Sequence, residues 1–275
     1  MHVIGVAGHS DTGKTTHVER LVPALAERGR VATVKSIHHD VEVDAPGTDT
    51  YRHRQAGAER VAGVTPATTF EVAAGGKSRA VEREGAEAGA LRERLLAFSR
   101  AGIDYAVVEG FSASLVPLVL TDEDVRETVG GAVLGHVDDL DLDAEIERID
   151  ELSPVRTPER LAATASSDAD AVAVGTDTFA ADRDAAEWTD GRLPGESGTE
   201  AVNAVLEELG ARHTVSSVEV VVRPPVTPGD RVAVHVAVGA TGRSDAFLGV
   251  EGARERLREL WPAFADATAE RVLVR

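Results

Sequence analysis

Near the start of the chain lies the run Gly8-His9-Ser10-Asp11-Thr12-Gly13-Lys14-Thr15-Thr16. It fits the pattern G-x-x-x-x-G-K-S/T, in which glycines allow consecutive backbone N–H groups to turn toward a phosphate. Lys14 is expected to bring a positive charge to the outer phosphates of a nucleotide, and the Thr15 hydroxyl can bind Mg²⁺. The run therefore predicts a phosphate-binding loop, or P-loop, with all nine residues at the bound nucleotide.

The segments around the loop predict an α/β domain. The apolar run Val3–Ala7 is typical of a buried strand, and apolar residues at spacings of three and four predict a helix from about Thr15 to Glu27. Further predicted strands are 31–35, 105–108, 117–120 and 133–134, with possible edge strands at 68–72, and further predicted helices are 48–57, 87–101 and 158–163. This alternation predicts a mostly parallel sheet of the P-loop NTPase type with flanking helices, over residues 1–163.

The second half of the chain predicts a smaller α+β domain over residues 164–275. The predicted elements, in chain order, are a helix at 200–209, strands at 218–222 and 232–238, and a helix at 249–260. Pro228-Gly229-Asp230 is expected to be the turn that joins the two strands as a hairpin. Residues 182–199 carry turn residues without a period, and they predict a linker or a long loop.

The composition excludes several classes of protein and site. The formal net charge is −18, and no basic stripe is present to neutralise nucleic-acid phosphates. The chain has no cysteine, which excludes disulfides and thiolate metal sites. No apolar window of about 18 residues could span a membrane, and the N-terminus lacks the basic segment of a signal peptide. We expect a cytoplasmic protein that binds neither nucleic acid nor membranes.

The distribution of charge is uneven. The only lysines are Lys14, Lys35 and Lys77, and every other Lys/Arg position is arginine. An acidic, lysine-poor composition is typical of halophilic proteins, while a GC-rich genome is the alternative explanation. Eight carboxylates lie between Asp138 and Glu151, and we interpret them as a solvated helix face or loop rather than a cation site.

A carboxylate on a neighbouring strand is expected to hold the Mg²⁺ of a P-loop protein. Glu109 follows the apolar strand Tyr105–Val108, which puts it in the crevice where ligands of parallel sheets bind. Asp104 precedes the same strand and would lie at the opposite end of the sheet. Glu109 is therefore the predicted metal carboxylate, with an ordinary strand-end carboxylate as the alternative.

A polar segment follows the second strand at the same edge of the sheet. It contains Lys35, His38, His39 and Asp40, and further carboxylates follow within a few residues. Imidazoles and carboxylates so close together could bind a metal ion, hydrogen-bond a ligand, or form a polar loop without a site. The spacing alone leaves these three interpretations open.

Several segments resemble one known family. They are Val34-Lys35-Ser36-Ile37-His38-His39-Asp40, Asp44-x-Pro46-Gly47-x-Asp49-Thr50, Gln55-Ala56-Gly57-Ala58 and Val108-Glu109-Gly110-Phe111. With the double threonine of the P-loop, they make residues 1 to about 160 resemble the MobB family, the adaptor proteins of molybdopterin-guanine dinucleotide biosynthesis. One departure is Ser112, where members of the family often have a lysine.

This resemblance implies a GTP-binding homodimer, with GTP and Mg²⁺ as cofactors, that assists the guanylyltransferase of the molybdenum cofactor; molybdopterin stays open as a further ligand. We assign nucleotide binding to the P-loop together with Lys35, His39 and Asp40, and Mg²⁺ to Thr15, Glu109 and Asp40. GTP rests on the resemblance alone, because none of the three lysines stands in the guanine signature N/T-K-x-D. Any hydrolysis is expected to be slow, because neither an arginine finger nor a glutamine beside the P-loop is evident.

The second half resembles, in weaker form, the last half of the large subunit of molybdopterin synthase. The resemblance rests on the turn at 228–230, on Arg243-Ser244-x-Ala246-Phe247 and on the helix before Pro262-x-Phe264. Two lysines that serve the synthase correspond to places near Arg258 and Ala265. The resemblance implies a domain without synthase activity, in which Arg243 is a surface residue or keeps a phosphate contact.

Two other functions fit the P-loop. A small-molecule kinase would need an arginine-bearing lid, for which Arg52–Arg54 and Arg79–Arg83 are the candidates. A nucleotide-dependent metal-insertion chaperone would use His38, His39 and Asp40.

Overall fold

The computed structural model describes residues 1–77, 86–152, 154–155, 157–165, 169–180, 195–223, 231–261, 264, 268–269 and 273–274. The elements of the first half are β1 (His2–Ala7), α1 (Lys14–Ala26), β2 (Val31–Lys35), α2 (Asp49–Gln55), β3 (Arg60–Val64), β4 (Thr69–Ala73), α3 (Ala86–Arg100), β5 (Tyr105–Glu109), β6 (Leu118–Leu120), β7 (Val133–His136) and α4 (Leu142–Glu151). Those of the second half are α5 (Pro158–Ala165), β8 (Ala171–Ala180), α6 (Gly195–Gly210), β9 (Val215–Arg223), β10 (Arg231–Ala240), α7 (Arg243–Leu260), β11 (Thr268–Ala269) and β12 (Leu273–Val274).

The first half is a five-stranded parallel sheet in the order β2-β5-β1-β6-β7. Leu21 and Leu25 of α1 and Ile146 and Ile149 of α4 pack on one face, and α3 packs on the other. Burial of the two central strands on both faces explains their uninterrupted apolar runs. The predicted α/β class, a mostly parallel sheet covered by helices, is confirmed.

The predicted edge strand at 68–72 is not part of the parallel sheet. β3 and β4 form a separate antiparallel hairpin, and α2 contacts β3. Gly63 faces Phe70 across the hairpin, and a Cβ at Gly63 would come within 2.3 Å of the Phe70 ring. Because Gly63 has no side chain, the Phe70 ring can pack against its backbone.

The acidic segment 138–151 is not simply a solvated face. Asp141 caps α4, because its Oδ1 accepts from the Ala144 N–H at 2.8 Å. Glu145 is 1% exposed and its Oε1 lies 3.0 Å from His17 Nε2 of α1. Asp150 accepts from the Tyr105 hydroxyl at 2.9 Å. The interpretation of a solvated face is wrong for Glu145, which is buried, whereas Asp141 and Asp150 are exposed and also cap or anchor α4.

The second half contains an antiparallel sheet in the order β11-β8-β10-β9, with β12 also paired to β8. The predicted hairpin partners β9 and β10 are antiparallel neighbours, as expected, while the turn at 228–230 lies outside the described residues. β8 was not predicted, although its Val172, Val174, Thr176 and Thr178 alternate like a strand. It pairs with β10 along its whole length, so the strand at 232–238 is central rather than at an edge.

Helices cover both faces of this second sheet. The alternating valines of β10 pack against α6 and α7, and α5 packs against the other face through Leu161, Ala162 and Ala165. The apolar face of the predicted hairpin is thus buried within the chain. The domain boundary at 163/164 stays a prediction. No helix in the described ranges is both long and apolar enough to cross a membrane.

His235 is a buried histidine in the middle of β10. It is 3% exposed, its Nδ1 lies 2.9 Å from Thr176 Oγ1, and its Nε2 has no hydrogen-bond partner among the described residues. Burial, with a smaller contribution from the charge of Arg223, lowers the pKa of His235 to about 3.

We expect this histidine to make the second sheet sensitive to acid. An unfolded chain protonates a histidine near pH 6.5, so between pH 6.5 and 3 the unfolded state binds the extra proton and stability falls as the pH falls. At pH 5 the loss is about 2 kcal/mol. In urea denaturation, the stability advantage of the wild type over His235→Gln should shrink by about that amount from pH 7 to pH 5. An advantage that does not change with pH would contradict this account.

Candidate functional site

The P-loop connects β1 to α1 at the carboxyl edge of the parallel sheet. Its backbone enters the left-handed region at Asp11 (φ 64°) and Gly13 (φ 87°), immediately before α1 begins at Lys14. The N–H groups of a helix's first turn have no partner within the helix, and they favour an anion at that end. The loop and the helix therefore present backbone donors from the segment that the sequence motif marks.

Gly8 is required by close packing at the base of the loop. A Cβ at this position would lie 2.2 Å from Thr121 Oγ1 and 2.6 Å from Thr12 Oγ1. These two hydroxyls are 2.8 Å apart, and the Thr12 hydroxyl also donates to the carbonyl of His9 at 2.9 Å. Because Thr121 follows β6, these contacts fasten the loop to the strand beside β1.

A second contact ties the loop to the segment after β6. His9 Nδ1 lies 2.5 Å from Asp122 Oδ2. The hydrogen bond from His9 holds the pKa of Asp122 below its usual range. Sequence reasoning missed both Thr121 and Asp122, because their partners lie more than a hundred residues earlier in the chain.

Lys14 lies folded over the loop. Its Nζ donates to the carbonyl of Gly8 at 2.9 Å and also to the carbonyl of His9. These acceptors are neutral, so the structure gives the ammonium no carboxylate partner within the described residues. A phosphate would supply the anionic partner that the loop itself lacks.

Thr15, Glu109 and Lys35 meet beside the loop. The Thr15 hydroxyl donates to Glu109 Oε1 at 2.9 Å, and Lys35 Nζ lies 2.7 Å from the same oxygen. Lys35 Nζ also donates to Thr15 Oγ1 at 3.2 Å. Glu109 is only 8% exposed, so the structure gathers a buried carboxylate, a hydroxyl and a cation from three different elements.

The register of the sheet explains this meeting. β2 and β5 are parallel neighbours, and Lys35 is paired with Glu109 in their register. Paired positions on adjacent strands place their side chains on one face of the sheet. Asp104, at the other end of β5, binds Arg160 and the backbone N–H of Arg30 instead, as its distance from the P-loop predicts.

The oxygens of Thr15 and Glu109 fit a magnesium ion. Hard oxygen ligands beside nucleotide phosphates are the usual environment of Mg²⁺, and the lysine ammonium on both oxygens demonstrates that the pair attracts a cation. Asp40, assigned to the same ion, is exposed in the segment after β2, with no hydrogen bond or ion pair to the described residues around it. The assignment of Asp40 therefore stays a prediction.

His38 and His39 are exposed in the same segment. Nearby, Asp44 is buried and accepts from the hydroxyls of Thr48 and Thr50 at 3.0 Å, which orders the start of α2. In the described parts of the chain, no group of three His, Asp or Glu side chains is arranged to hold a metal ion. The metal-insertion hypothesis finds no preformed site in these residues.

The arginines of the kinase hypothesis are occupied or outside the described residues. Arg54 pairs with Glu42, and Arg52 Nη1 lies 3.5 Å from Asp49 Oδ1. The cluster Arg79–Arg83 lies outside the described residues. Arg52 and Arg54 are thus both paired with carboxylates in or near α2.

The third lysine lies at the same sheet edge, on the opposite face of β2. Lys77 Nζ lies 2.6 Å from Glu87 Oε1 and donates to Ser36 Oγ at 2.7 Å. Burial acts to raise the pKa of Glu87, but hydrogen bonds from Lys77 and Ser36 hold it below the usual value. In a chain with three lysines, all three thus lie at the edge that carries the P-loop.

Replacing Glu109 by Gln is expected to weaken nucleotide binding in Mg²⁺ more than in EDTA. The substitution keeps the size of the side chain but removes the charge through which it would act on the ion. Affinity should fall about tenfold in Mg²⁺ and stay within about threefold in EDTA. Calorimetric titrations in the two buffers check this, and equal losses would make Glu109 a structural residue only.

The geometry agrees with a comparison of sequences. The family model described as "Molybdopterin guanine dinucleotide synthesis protein B", or MobB, matches residues 3–130. Residues 3–130 are homologous to the MobB family. The matched segment contains the P-loop, Lys35, Glu109 and the hairpin of β3 and β4, so the predicted resemblance of the first half is confirmed over these residues.

Individual relatives carry the same description. The chain is 32% identical over 119 residues to the molybdopterin-guanine dinucleotide biosynthesis adapter protein of Haemophilus influenzae, covering 43% of this chain and 61% of the relative. It is 49% identical over 57 residues to the adapter protein of Escherichia coli K12, covering 20% of this chain and 33% of the relative. The chain therefore spans less than two thirds of the length of either relative.

Solved MobB structures were also similar. The crystal structure of Bacillus subtilis MobB is 21% identical, with 54% of this chain and 97% of that chain covered and a TM-score of 0.39. A second MobB crystal structure is 27% identical, with 54% and 94% covered and a TM-score of 0.34. The family match ends at residue 130, so the resemblance of residues 164–275 to the synthase subunit stays a prediction.

Proposed function

We propose that this protein binds Mg²⁺-GTP at its P-loop and acts as an adapter in molybdopterin-guanine dinucleotide biosynthesis, within molybdenum cofactor biosynthesis. The observation that carries the proposal is the junction of Thr15, Glu109 and Lys35 beside a P-loop, inside a segment homologous to MobB. A binding loop, a hydroxyl and a buried carboxylate are the parts that a Mg²⁺-nucleotide requires.

Each part has a distinct role in the proposal. The loop from Gly8 to Thr16 surrounds the phosphates with backbone N–H groups, and Lys14 neutralises the outer phosphates. Thr15 and Glu109 hold Mg²⁺, with Asp40 of the segment after β2 as a further ligand. His39 contributes a polar contact to the nucleotide, and Lys35 contributes one when no Mg²⁺ is bound.

The choice of GTP is supported by the names of the relatives, whose pathway product contains guanine. The proposed partner is the guanylyltransferase of the molybdenum cofactor, with molybdopterin as a further candidate ligand. We expect at most slow hydrolysis, because neither an arginine finger nor a glutamine beside the P-loop is evident from the sequence. A cytoplasmic location fits such a partner.

A homodimer is part of the proposal. Val64 and Phe70 of the β3–β4 hairpin are 79% and 39% exposed, and Val41 and Val43 of the segment between β2 and α2 are exposed as well. Exposed apolar side chains on a hairpin that is not part of a larger sheet are typical of an interaction surface. Analytical ultracentrifugation of the purified protein tests this part separately.

The second half is proposed to be a scaffold without synthase activity. Arg258, near one of the lysine places of the synthase, donates to the buried Asp177 at 2.8 Å. A guanidinium stays protonated at any working pH and cannot act as a nucleophile. Ala265, the second place, lies outside the described residues, and Arg243 is exposed at the start of α7.

The adapter function is tested by reconstitution. Guanylyltransferase, Mg²⁺-GTP and molybdopterin are incubated with and without the full-length protein, and formation of the dinucleotide is measured by chromatography. We expect a higher initial rate with the wild type and the basal rate with Lys14→Ala. A rate that is equal with wild type, variant and no added protein would overturn the adapter proposal.

A further inference from the structure

Lys35 lies where the proposed magnesium ion would bind. Its Nζ is 2.7 Å from Glu109 Oε1 and 3.2 Å from Thr15 Oγ1, and these two oxygens are 2.9 Å apart. The ammonium therefore uses the lone pairs of both oxygens at once. A divalent cation bound by the same pair would need those lone pairs, so both cations cannot occupy the position together.

The need for a cation at this position follows from burial. The Glu109 side chain is 10% exposed, and a carboxylate withdrawn from water is costly unless a cation or several donors compensate it. The Thr15 hydroxyl supplies one donor, and Lys35 supplies the only positive charge found on this carboxylate among the described residues. Without Mg²⁺, the stability of the buried charge depends on this lysine.

The position of Lys35 also allows it to leave. Its backbone is fixed by the pairing of β2 with β5, but its side chain is 54% exposed. A long side chain with an exposed stem can move its ammonium into water or toward a phosphate without repacking the core. Exchange of the lysine for a metal ion therefore requires a change of rotamer only.

We infer that Lys35 is an internal cation that occupies the magnesium position until Mg²⁺ displaces it, and that it partly replaces the metal when none is bound. This inference rests on the proposed nucleotide function and adds a regulation of the same site. Two consequences follow. Without Mg²⁺, the protein still binds the nucleotide, and this residual affinity depends on Lys35. Mg²⁺ binds more tightly once the lysine side chain is removed.

The test compares Lys35→Met with a matched control, Lys77→Met. Lys77 also pairs with one glutamate at the same sheet edge, but on the opposite face of β2. GTP affinity is measured by calorimetry in EDTA and in saturating Mg²⁺. For Lys35→Met we expect about a tenfold loss of affinity in EDTA and less than about a threefold loss in Mg²⁺. In Lys35→Met, the Mg²⁺ concentration that gives half of the increase in GTP affinity should be lower than in the wild type. Lys77→Met should behave as the wild type in all these measurements.

Equal losses in the two buffers would overturn the inference, because Lys35 would then be an ordinary phosphate contact. No loss in either buffer would also overturn it. If the wild type binds GTP in neither buffer, the proposed function fails instead, and a nucleotide-free measurement still tests the lysine.

That measurement is thermal unfolding with Mg²⁺ alone against NaCl of equal ionic strength. A ligand that binds only the folded state raises its melting temperature, so Lys35→Met should gain about 2–4 °C from Mg²⁺. The wild type and Lys77→Met should gain less than about 1 °C, and adding Glu109→Gln to Lys35→Met should abolish the gain. Equal gains in the wild type and in Lys35→Met would overturn the inference.

Discussion

Replacing Lys14 by Ala is expected to lower the affinity for Mg²⁺-GTP by at least about a hundredfold. Hydrogen bonds to charged groups contribute about 1.5–3 kcal/mol each, and the ammonium is expected to bind the outer phosphates. Among the described residues, its hydrogen bonds go only to the carbonyls of Gly8 and His9. The substitution therefore removes charge from the site while deleting no contact in the apolar core.

Lys77→Ala is the matched control for this prediction, because it removes a lysine from the same sheet edge without touching the P-loop. Circular dichroism and the melting temperature should be close to wild type for both variants. GTP affinity should fall only in Lys14→Ala. If calorimetry gave Lys14→Ala an unchanged affinity, the assignment of the P-loop would be wrong.

Replacing Asp177 by Ala is expected to destabilise the second sheet by about 3–5 kcal/mol. Asp177 is fully buried on β8, and both its oxygens are bound by Arg254 of α7 at 2.7 Å. Arg258 donates to one of them at 2.8 Å. The hydrogen bonds that Arg254 donates to Asp177 raise the pKa of Arg254, so the substitution leaves a buried guanidinium charged and without its main partner.

Glu251→Gln provides the control for this cost. Glu251 binds the same Arg254 at 2.6 Å, but its side chain is 43% exposed, and exposed pairs contribute about 0–1 kcal/mol. Urea denaturation should separate the two variants by at least about 2 kcal/mol. Because the described residues form more than one sheet, the transition should be followed by the fluorescence of Trp261, which packs in the core of the second five-stranded sheet. The other tryptophan, Trp188, is replaced by Phe in each protein that is compared. A small effect of Asp177→Ala would mean that water reaches the ion pair.

Local sequence signals predicted most of the first half. The P-loop motif, the apolar runs of β1 and β5 and the helical spacing in α1 are each local patterns with one physical meaning. The order of the strands and the register between Lys35 and Glu109 are set by packing between distant segments. The sequence therefore identified Lys35 and Glu109 as site residues but could not predict that their side chains are in contact.

The missed residues share a long sequence separation. Ser36, Lys77 and Glu87 meet only because the hairpin and α3 return to the end of β2. Thr121 reaches the P-loop from β6 in the same way. A lysine or a threonine carries no periodic signal, so its partner becomes visible only when the chain is folded.

The structure of the second half differs more from the prediction, because a buried charged residue made strand β8 hard to recognise in the sequence. β8 contains Thr176, Asp177 and Thr178, and a carboxylate in a strand argues against burial unless its partner is known. That partner, Arg254, lies 77 residues later in α7. The lysine-to-arginine change near 258 was interpreted as a lost active-site residue, whereas the structure gives Arg258 a structural contact with Asp177.

The most direct test of the central claim is a calorimetric titration of the wild-type protein with GTP and with ATP, in Mg²⁺ and in EDTA. We expect one GTP bound per chain, with tighter binding in Mg²⁺ than in EDTA and weaker binding of ATP than of GTP. Folded protein that gives no saturable binding of GTP in Mg²⁺ would contradict the claim that its P-loop is a Mg²⁺-GTP site.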